Sequence, residues 1–249
     1  MPAPVGKCKL CQRHKPLCRS HIVPEFAYKP IKNPNNQMLA VGRRGRVRTI
    51  QTGHFEHLLC RDCENLLSRY ESNFKNAWMD TIPSSFENTV TTPPCDAISV
   101  DVPDYSSFKL FHLSVLWRAA VSSRFKAGGD ISLGPYERIL AEMILGRDPG
   151  QLGDFPFLAS LNLDKQQRPL PTVAPLSKGK GRFKGRYHYY TMTYAFCDWN
   201  FFIARPGPKC FRDVEKRWRE QGLFVVFAVP FERIKSLNLW SKVIRGSRE

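Results

Sequence analysis

Two pairs of cysteines with the spacing C-x-x-C lie about fifty residues apart in the first third of the chain. Cys8 and Cys11 form the first pair, and Cys60 and Cys63 form the second. A two-residue spacer lets both sulfurs of a pair reach one ion, and two such pairs complete a tetrahedral thiolate site. The spacing therefore predicts a structural zinc ion that joins two distant segments, and this closure constrains the fold more than any other feature.

A thiol redox site is the competing interpretation of each C-x-x-C pair. Such a site usually begins a helix in a thioredoxin-like context, which the first pair lacks. Cys18 or His14 could replace one zinc ligand, but neither has a close partner at the same spacing. The cysteines outside the two pairs are scattered and are typical of small core residues: Cys18, Cys95, Cys197 and Cys210.

The charge of the chain indicates what it binds. Its 249 residues include 38 Lys and Arg against 22 Asp and Glu, a formal net charge of +16. This excess predicts a polyanionic partner, DNA more than RNA, with a protein partner or a basic surface kept for solubility as alternatives. The longest apolar run, near residues 223–231, is far shorter than a membrane span, so no membrane partner is expected.

Eight cysteines occur in a chain whose first residues, MPAPVGKCKLCQ, contain no apolar signal segment. This combination predicts a cytoplasmic location, where thiols stay reduced and paired cysteines bind metal rather than form disulfides. The sequence also contains no P-loop, no G-x-G-x-x-G after a strand and no G-x-S-x-G elbow. It therefore gives no support to an NTPase, a dinucleotide oxidoreductase or an α/β-hydrolase.

Hydrophobic periodicity predicts an α+β fold. Residues 29–52 have the Asn, Pro and Arg content of a loop. The predicted organisation is a zinc-stapled module over 1–80, a proline-interrupted linker over 81–106, and a mixed helix and antiparallel-sheet domain over 107–249. Helices are expected over 64–79, 108–125, 135–145 and 210–220, and strands over 187–196, 199–204 and 223–229.

Three features of the second domain have structural interpretations. The aromatic segment from Tyr187 to Tyr194 predicts a strand whose rings pack in the core rather than stack on bases. His112 lies inside the apolar helix pattern and is expected to be structural. Arg118, in the same helix, needs an acidic residue or a phosphate as its partner.

Between the cysteine pairs stands Ser20-His21-Ile22-Val23-Pro24, and the second pair opens a helix as Cys60-Arg61-Asp62-Cys63-Glu64-Asn65. Over about residues 5–75 this pattern resembles the HNH endonuclease family, which has the ββα-metal (His-Me finger) fold and often a separate four-cysteine zinc. The resemblance implies a ββα-metal module in which two strands and a helix hold a catalytic Mg²⁺ or Mn²⁺. It implies His21 as the general base that deprotonates water, and a cation that stabilises the charge on the phosphorane.

The sequence departs from the family pattern at the expected metal ligands. Ser20 stands where the family has a carboxylate or histidine, and the middle Asn has no counterpart. Glu64 replaces the usual His or Asn after the second pair and is an acceptable ligand for a hard cation. His54 or His57, together with Glu25, could also rebuild the site. Two functions follow: a metal-dependent nuclease, or an inactive zinc-stabilised factor that binds nucleic acid or protein.

Two basic segments are candidates for contact with phosphates. Their charges release counterions on binding, which supports contact with the backbone rather than base readout. A solvated loop is the alternative for each segment. The candidate nucleic-acid-binding residues are Arg43, Arg44, Arg46 and Arg48 in the first segment and Lys178, Lys180, Arg182, Lys184 and Arg186 in the second.

Overall fold

A computed structural model describes residues 3–41, 46–79, 81–82, 97–123, 125, 131–179 and 188–229 of the chain. Helices account for 35% and strands for 32% of the structure, which confirms the α+β class. Within the described residues, no helix is long and apolar enough to cross a membrane.

The N-terminal part is a small antiparallel sheet followed by a helix. Its strand order is β1-β2-β5, and β5 runs directly into α1. The two longer strands and the helix follow one another along the chain in the order strand, strand, helix. The elements are β1 (Val5–Lys7), β2 (His14–His21), β5 (Phe55–Cys60) and α1 (Arg61–Phe74), with a 3-10 helix at Glu25–Ile31 and a π-helical turn at Lys75–Met79.

A two-stranded antiparallel ribbon is inserted between β2 and β5. Its strands are β3 (Met38–Val41) and β4 (Val47–Ile50), which pair only with each other among the described strands. The prediction that residues 29–52 form only loop is wrong here. The short strands are obscured in the sequence because prolines and asparagines precede them and four arginines interrupt the apolar pattern.

The remaining elements form a six-stranded sheet with three helices. The strand order is β6-β11-β7-β10-β9-β8. All neighbouring pairs are antiparallel except β11 and β7, which run parallel, so the predicted antiparallel sheet is mixed at this one position. The elements are β6 (Ala97–Asp101), α2 (Tyr105–Val121), α3 (Tyr136–Gly146), β7 (Phe157–Asn162), β8 (Ala174–Lys178), β9 (Tyr189–Tyr194), β10 (Cys197–Phe202), α4 (Lys209–Gln221) and β11 (Leu223–Val229).

Helix α2 is the central helix, and its residues explain its position. Asp104 caps its N-terminus by accepting a hydrogen bond from the Ser107 N–H at 2.9 Å. Nearly every side chain along α2 is buried, including His112 and Arg118. A helix that is apolar on all sides belongs inside a protein rather than on its surface.

One hydrophobic core runs through both parts of the chain. The Phe74 ring of α1 stacks on Phe111 of α2 with centroids 4.1 Å apart. The indole N–H of Trp78 donates to the Ala195 carbonyl at 3.0 Å. These contacts attach the N-terminal module directly to the sheet and to the helix that follow it.

The structure also revises the predicted boundaries. Strand β6 lies inside the segment 81–106 that the sequence assigns to a linker, and α2 begins at Tyr105. The segment 147–186, which has the proline content of a loop, contains β7 and β8. The core interpretation of the aromatic strand is correct, because Tyr190, Met192 and Tyr194 are buried.

Candidate functional site

The four paired cysteines converge although they lie on different elements. Cys8 and Cys11 belong to the turn between β1 and β2, whereas Cys60 ends β5 and Cys63 lies in the first turn of α1. Their sulfurs all lie within 4.8 Å of one another. The Sγ–Sγ distances are 3.7 Å for Cys8–Cys63 and 3.8 Å for Cys11–Cys60. Four thiolates about 2.3 Å from a central ion stand roughly 3.8 Å apart in a tetrahedron, so the cluster has the dimensions of a metal site.

The first pair is held on a tight turn by backbone hydrogen bonds. The Cys8 N–H donates to the Arg13 carbonyl, and the Gln12 N–H donates to the Cys8 carbonyl, both at 2.9 Å. Gln12 has a φ of 60°, in the left-handed region that reverses the chain. The Lys9 N–H donates to the Leu58 carbonyl at 2.8 Å, which fixes the turn against β5.

The second pair uses the start of α1, where backbone N–H groups have no partner within the helix. The Cys60 N–H lies 3.4 Å from the Cys8 sulfur. Burial raises the pKa of Cys63 and of Cys11. Burial acts in the same direction on Cys8, but backbone N–H groups, that of Cys60 first, lower the pKa of Cys8 overall. A metal cation among the sulfurs would offset the cost of burying thiolates.

The distances distinguish this cluster from a disulfide. A disulfide bond is about 2.05 Å long, whereas the Cys8 and Cys63 sulfurs are 3.7 Å apart. Cys18 and His14 do not belong to the cluster, which among the described residues is the one group of three or more His, Cys, Asp or Glu side chains placed to hold a metal. The ligand set is therefore the one that the two C-x-x-C pairs predict.

His21 ends β2, and its imidazole faces the carboxylate of Glu25. The distance from His21 Nε2 to Glu25 Oε2 is 3.4 Å, and the two side chains are 32% and 37% exposed, so both reach solvent. Lys32 pairs with the other oxygen of Glu25. Burial lowers the pKa of His21, and the charge of Glu25 opposes this shift. The imidazole is therefore neutral near pH 7 and can accept a proton.

The surface around His21 is basic and aromatic. The register of β2 and β5 pairs Arg19 with His57 and His21 with Phe55, so these four side chains share one face of the strand pair. The Arg19 guanidinium lies 3.8 Å from the centroid of the Phe55 ring. The rings of His21 and Phe55 meet edge to face at 6.2 Å. A face of this composition suits phosphates and bases.

Ser20 and Glu64 lie together on the other side of β2. The buried Ser20 hydroxyl accepts a hydrogen bond from the Leu59 N–H at 3.1 Å. Burial raises the pKa of Glu64, although a hydrogen bond with Ser20 and the charge of Arg118 lower it. Within the described part of the chain, the buried Oε1 of Glu64 has no hydrogen-bond partner. The predicted metal ligand Glu64 thus contacts Ser20, and no described contact joins it to His21.

Arg118 connects the strand that carries His21 to the central helix. Its Nη1 donates to the His21 carbonyl and to Glu71 Oε1, both at 2.8 Å. The side chain is 1% exposed, and its Nε and Nη2 have no hydrogen-bond partner among the described residues. Of the two partners that the sequence leaves open, the structure identifies an acidic residue, Glu71.

Three of the candidate phosphate-binding residues are described, and all three are exposed. Arg46 directly precedes β4, Arg48 is its second residue, and Lys178 ends β8. They therefore lie on two separate elements of the fold. The other candidates lie outside the described residues: Arg43, Arg44, Lys180, Arg182, Lys184 and Arg186.

The sequence names Glu25 as a candidate ligand but does not predict two contacts of this site, His21 with Glu25 and Arg118 with Glu71. Glu25 stands four residues after His21, which would suggest a helical contact, but Pro24 between them hides the 3-10 helix that begins at Glu25. Glu71 and Arg118 are 47 residues apart, and no local pattern predicts their contact.

A cavity of about 440 Å³ lies in the second part of the fold, away from His21 and the cysteines. Its lining residues are Gln151, Leu152, Asp154, Arg205, Pro206 and Arg212.

Comparisons with models of protein families, with curated proteins and with solved structures give no match for this chain. Functional assignment therefore depends on the site itself.

Proposed function

We propose that the protein is a metal-dependent nuclease in which His21 is the general base. The observation that carries this proposal is the pairing of a partly exposed His21 with Glu25 at 3.4 Å, at the end of β2 away from the turn that carries Cys8 and Cys11. A carboxylate that orients an imidazole leaves one ring nitrogen poised to accept a proton.

The reaction is hydrolysis of a phosphodiester. His21 takes a proton from water, the water oxygen forms a bond to phosphorus, and the bond from phosphorus to the leaving oxygen breaks. The leaving alkoxide takes a proton from solvent, so atoms and charge balance. Arg19, on the same strand face as His21, is placed to hold the negative charge of the substrate.

Glu64 supports the proposal of a second, catalytic cation. Its buried Oε1 has no hydrogen-bond partner among the described residues, and a carboxylate oxygen of this kind suits Mg²⁺ or Mn²⁺. When bound, such a cation supplies electrostatic stabilisation of the developing charge on the phosphate. Glu71 adds a second carboxylate near Glu64, while Arg118 adds a positive charge.

The four cysteines are proposed to hold a structural Zn²⁺ rather than a catalytic one. All four positions of a tetrahedron are filled by protein sulfur, which leaves no open position for water or substrate. The ion would hold β1, β2, β5 and α1 together and so present His21 at the surface.

The test is cleavage of a supercoiled plasmid by metal-replete protein with Mg²⁺ or Mn²⁺. His21→Ala is expected to lower the nicking rate by about 10²- to 10⁴-fold, the usual contribution of a general base. His188→Ala is the matched control, because His188 is exposed and directly precedes β9, outside the surface around His21; it should cleave nearly as well as wild type. Equal cleavage by the His21 variant would remove the base assignment.

A zinc-stabilised binding factor without catalysis is the second candidate. Ser20 supports it, because its hydroxyl is already engaged by the Leu59 N–H where the family pattern has a strong metal ligand. Arg118 also supports it, because a fixed positive charge beside Glu64 competes with a metal cation. Absence of cleavage by wild type on duplex DNA, single-stranded DNA and RNA, together with retained binding, would favour this function.

A further inference from the structure

The β3–β4 ribbon has the shape of a recognition element. It forms its own two-stranded sheet, and no third strand pairs with it among the described residues. Its base is fixed, because Met38 is buried and its cross-strand partner Ile50 packs on the core. The Asn33 side chain orders the chain that enters β3 by accepting hydrogen bonds from two backbone N–H groups at 2.9 and 3.0 Å.

The two faces of the ribbon differ in chemistry. Cross-strand pairs place Arg48 opposite Ala40 on one face and Val47 opposite Val41 on the other. On the second face, Leu39 is 71% exposed and Val47 is 56% exposed, although apolar side chains usually find cover. The first face holds Met38 and Ile50 at the base of the ribbon, where they pack on the core, and Arg48 is its charged side chain beyond them.

The charge of the ribbon is not neutralised within the described part of the protein. Arg46 and Arg48 are exposed, and neither forms an ion pair with a described residue. The whole chain carries a formal net charge of +16. A ribbon with two unpaired arginines, in a protein of positive net charge, is complementary to a polyanion.

The ribbon also lies near the candidate catalytic residue. Burial lowers the pKa of His54, and the positive charge of Arg48 lowers it further, which puts Arg48 within electrostatic range of His54. The His54 carbonyl accepts a hydrogen bond at 3.1 Å from the N–H of Ile22, the residue after His21. The chain that leaves the ribbon is therefore fixed beside the end of β2 that carries His21.

We propose that the β3–β4 ribbon docks in the major groove of duplex DNA. The groove is about 12 Å wide and admits a two-stranded ribbon. Leu39 and Val47 face the base edges and contact thymine methyl groups. Arg48, on the opposite face, and Arg46 contact phosphates at the rim of the groove. This inference rests on the proposed function only in assuming a nucleic-acid partner; it does not require that the protein cleave DNA.

The experiment measures binding to a fluorescein-labelled 20-base-pair DNA duplex by anisotropy. All variants are made in the His21→Ala background, so that cleavage does not consume the probe. R46A/R48A is expected to weaken binding at least tenfold and to reduce the slope of log K against log salt by about 1.8, because two phosphate contacts are lost. The matched control R138A/R217A removes two exposed arginines from α3 and α4 and should change neither quantity.

Two further measurements test the groove and the apolar face. A duplex RNA of the same sequence should bind at least tenfold more weakly, because the major groove of A-form RNA is too narrow for side chains to read. L39S/V47S should weaken DNA binding severalfold with the salt slope unchanged.

Each of the following results would overturn the inference: no binding of duplex DNA, equal affinity for the RNA duplex, or equal effects of the ribbon and control variants. A change of oligomeric state in L39S/V47S without loss of DNA binding would do so too, since it would identify the apolar face as an interface between copies. If the plasmid assay shows no cleavage, the nuclease proposal fails, but the binding measurements still test the docking of the ribbon. The two proposals can therefore be contradicted independently.

Discussion

At the scale of single residues, the His21–Glu25 pair makes a prediction that does not depend on catalysis. Burial lowers the pKa of His21, while Glu25 raises it. The imidazole of His21 should therefore titrate by NMR with a midpoint below the ordinary value of about 6.5. Glu25→Gln removes the opposing charge and should move the midpoint to still lower pH.

The same shift has a consequence for stability. The folded pKa of His21 lies below the unfolded pKa, so the unfolded chain binds the proton more readily. The contribution of a neutral His21 is present above about pH 6.5 and is lost as the pH falls through the folded pKa. Glu220→Gln, an exposed change on α4, is the control and should leave the titration unaltered. A midpoint at or above 6.5 in wild type would contradict the burial argument.

The two kinds of site residue differ in how well sequence predicts them. The cysteine ligands are predictable, because a spacer of two residues lets both cysteines of a pair bind the same metal ion. The partner of Arg118 is not, because the Glu71 carboxylate and the His21 carbonyl reach it only through tertiary packing. The sequence predicts that a buried arginine needs a partner, and the three-dimensional contacts are required to identify that partner.

At the scale of elements, the four sulfurs hold a strand turn against a strand end and a helix start. Cys63→Ser is expected to abolish metal binding and to destabilise the module by up to about 10 kcal/mol, the scale of structural zinc sites. Cys18→Ser is the matched control, because Cys18 lies on β2 outside the cluster.

Elemental analysis and thermal unfolding measure the two effects. Wild type and the Cys18 variant should contain one zinc per chain, and the Cys63 variant should contain none and melt at lower temperature. Metal-free wild type that melts at the same temperature as the loaded protein would show that the cluster is not a structural metal site.

Elements were predictable where the apolar pattern is long. Strand β11 occupies the predicted residues 223–229, and α2 and α4 differ from their predicted ranges by a few residues. The sequence does not predict strands β3, β4, β6, β7 and β8. These strands have four to six residues each and stand among Pro, Asn or Arg, so their strand character comes from pairing across the sheet rather than from local preference.

At the scale of the whole molecule, a buried ion pair joins three separate segments. Lys109 of α2 donates to Glu215 of α4 at 2.8 Å, and their side chains are 0% and 3% exposed. The other oxygen of Glu215 accepts a hydrogen bond from the Gly153 N–H at 2.6 Å, and Arg219 also pairs with Glu215. The carboxylate is therefore shared by two helices and the loop that precedes β7.

Glu215→Ala is expected to lower the free energy of unfolding by about 3–5 kcal/mol, because it leaves the Lys109 ammonium buried without its partner. Glu220→Ala removes an exposed carboxylate from the same helix, paired with Lys216 at 3.8 Å, and should cost less than about 1 kcal/mol. Urea unfolding of the two variants measures the difference. Equal costs would mean that the buried pair contributes no more than a surface pair.

The contact of Trp78 with the Ala195 carbonyl has a practical consequence for anyone who dissects this protein. A fragment that stops near residue 80 would leave Phe74 and Trp78 facing water, since both are fully covered only by later parts of the chain. Each ring would lose roughly 1.5–3 kcal/mol of hydrophobic stabilisation. Such a truncation is expected to aggregate on expression, so a fragment used for biochemistry should keep α2 and the six-stranded sheet.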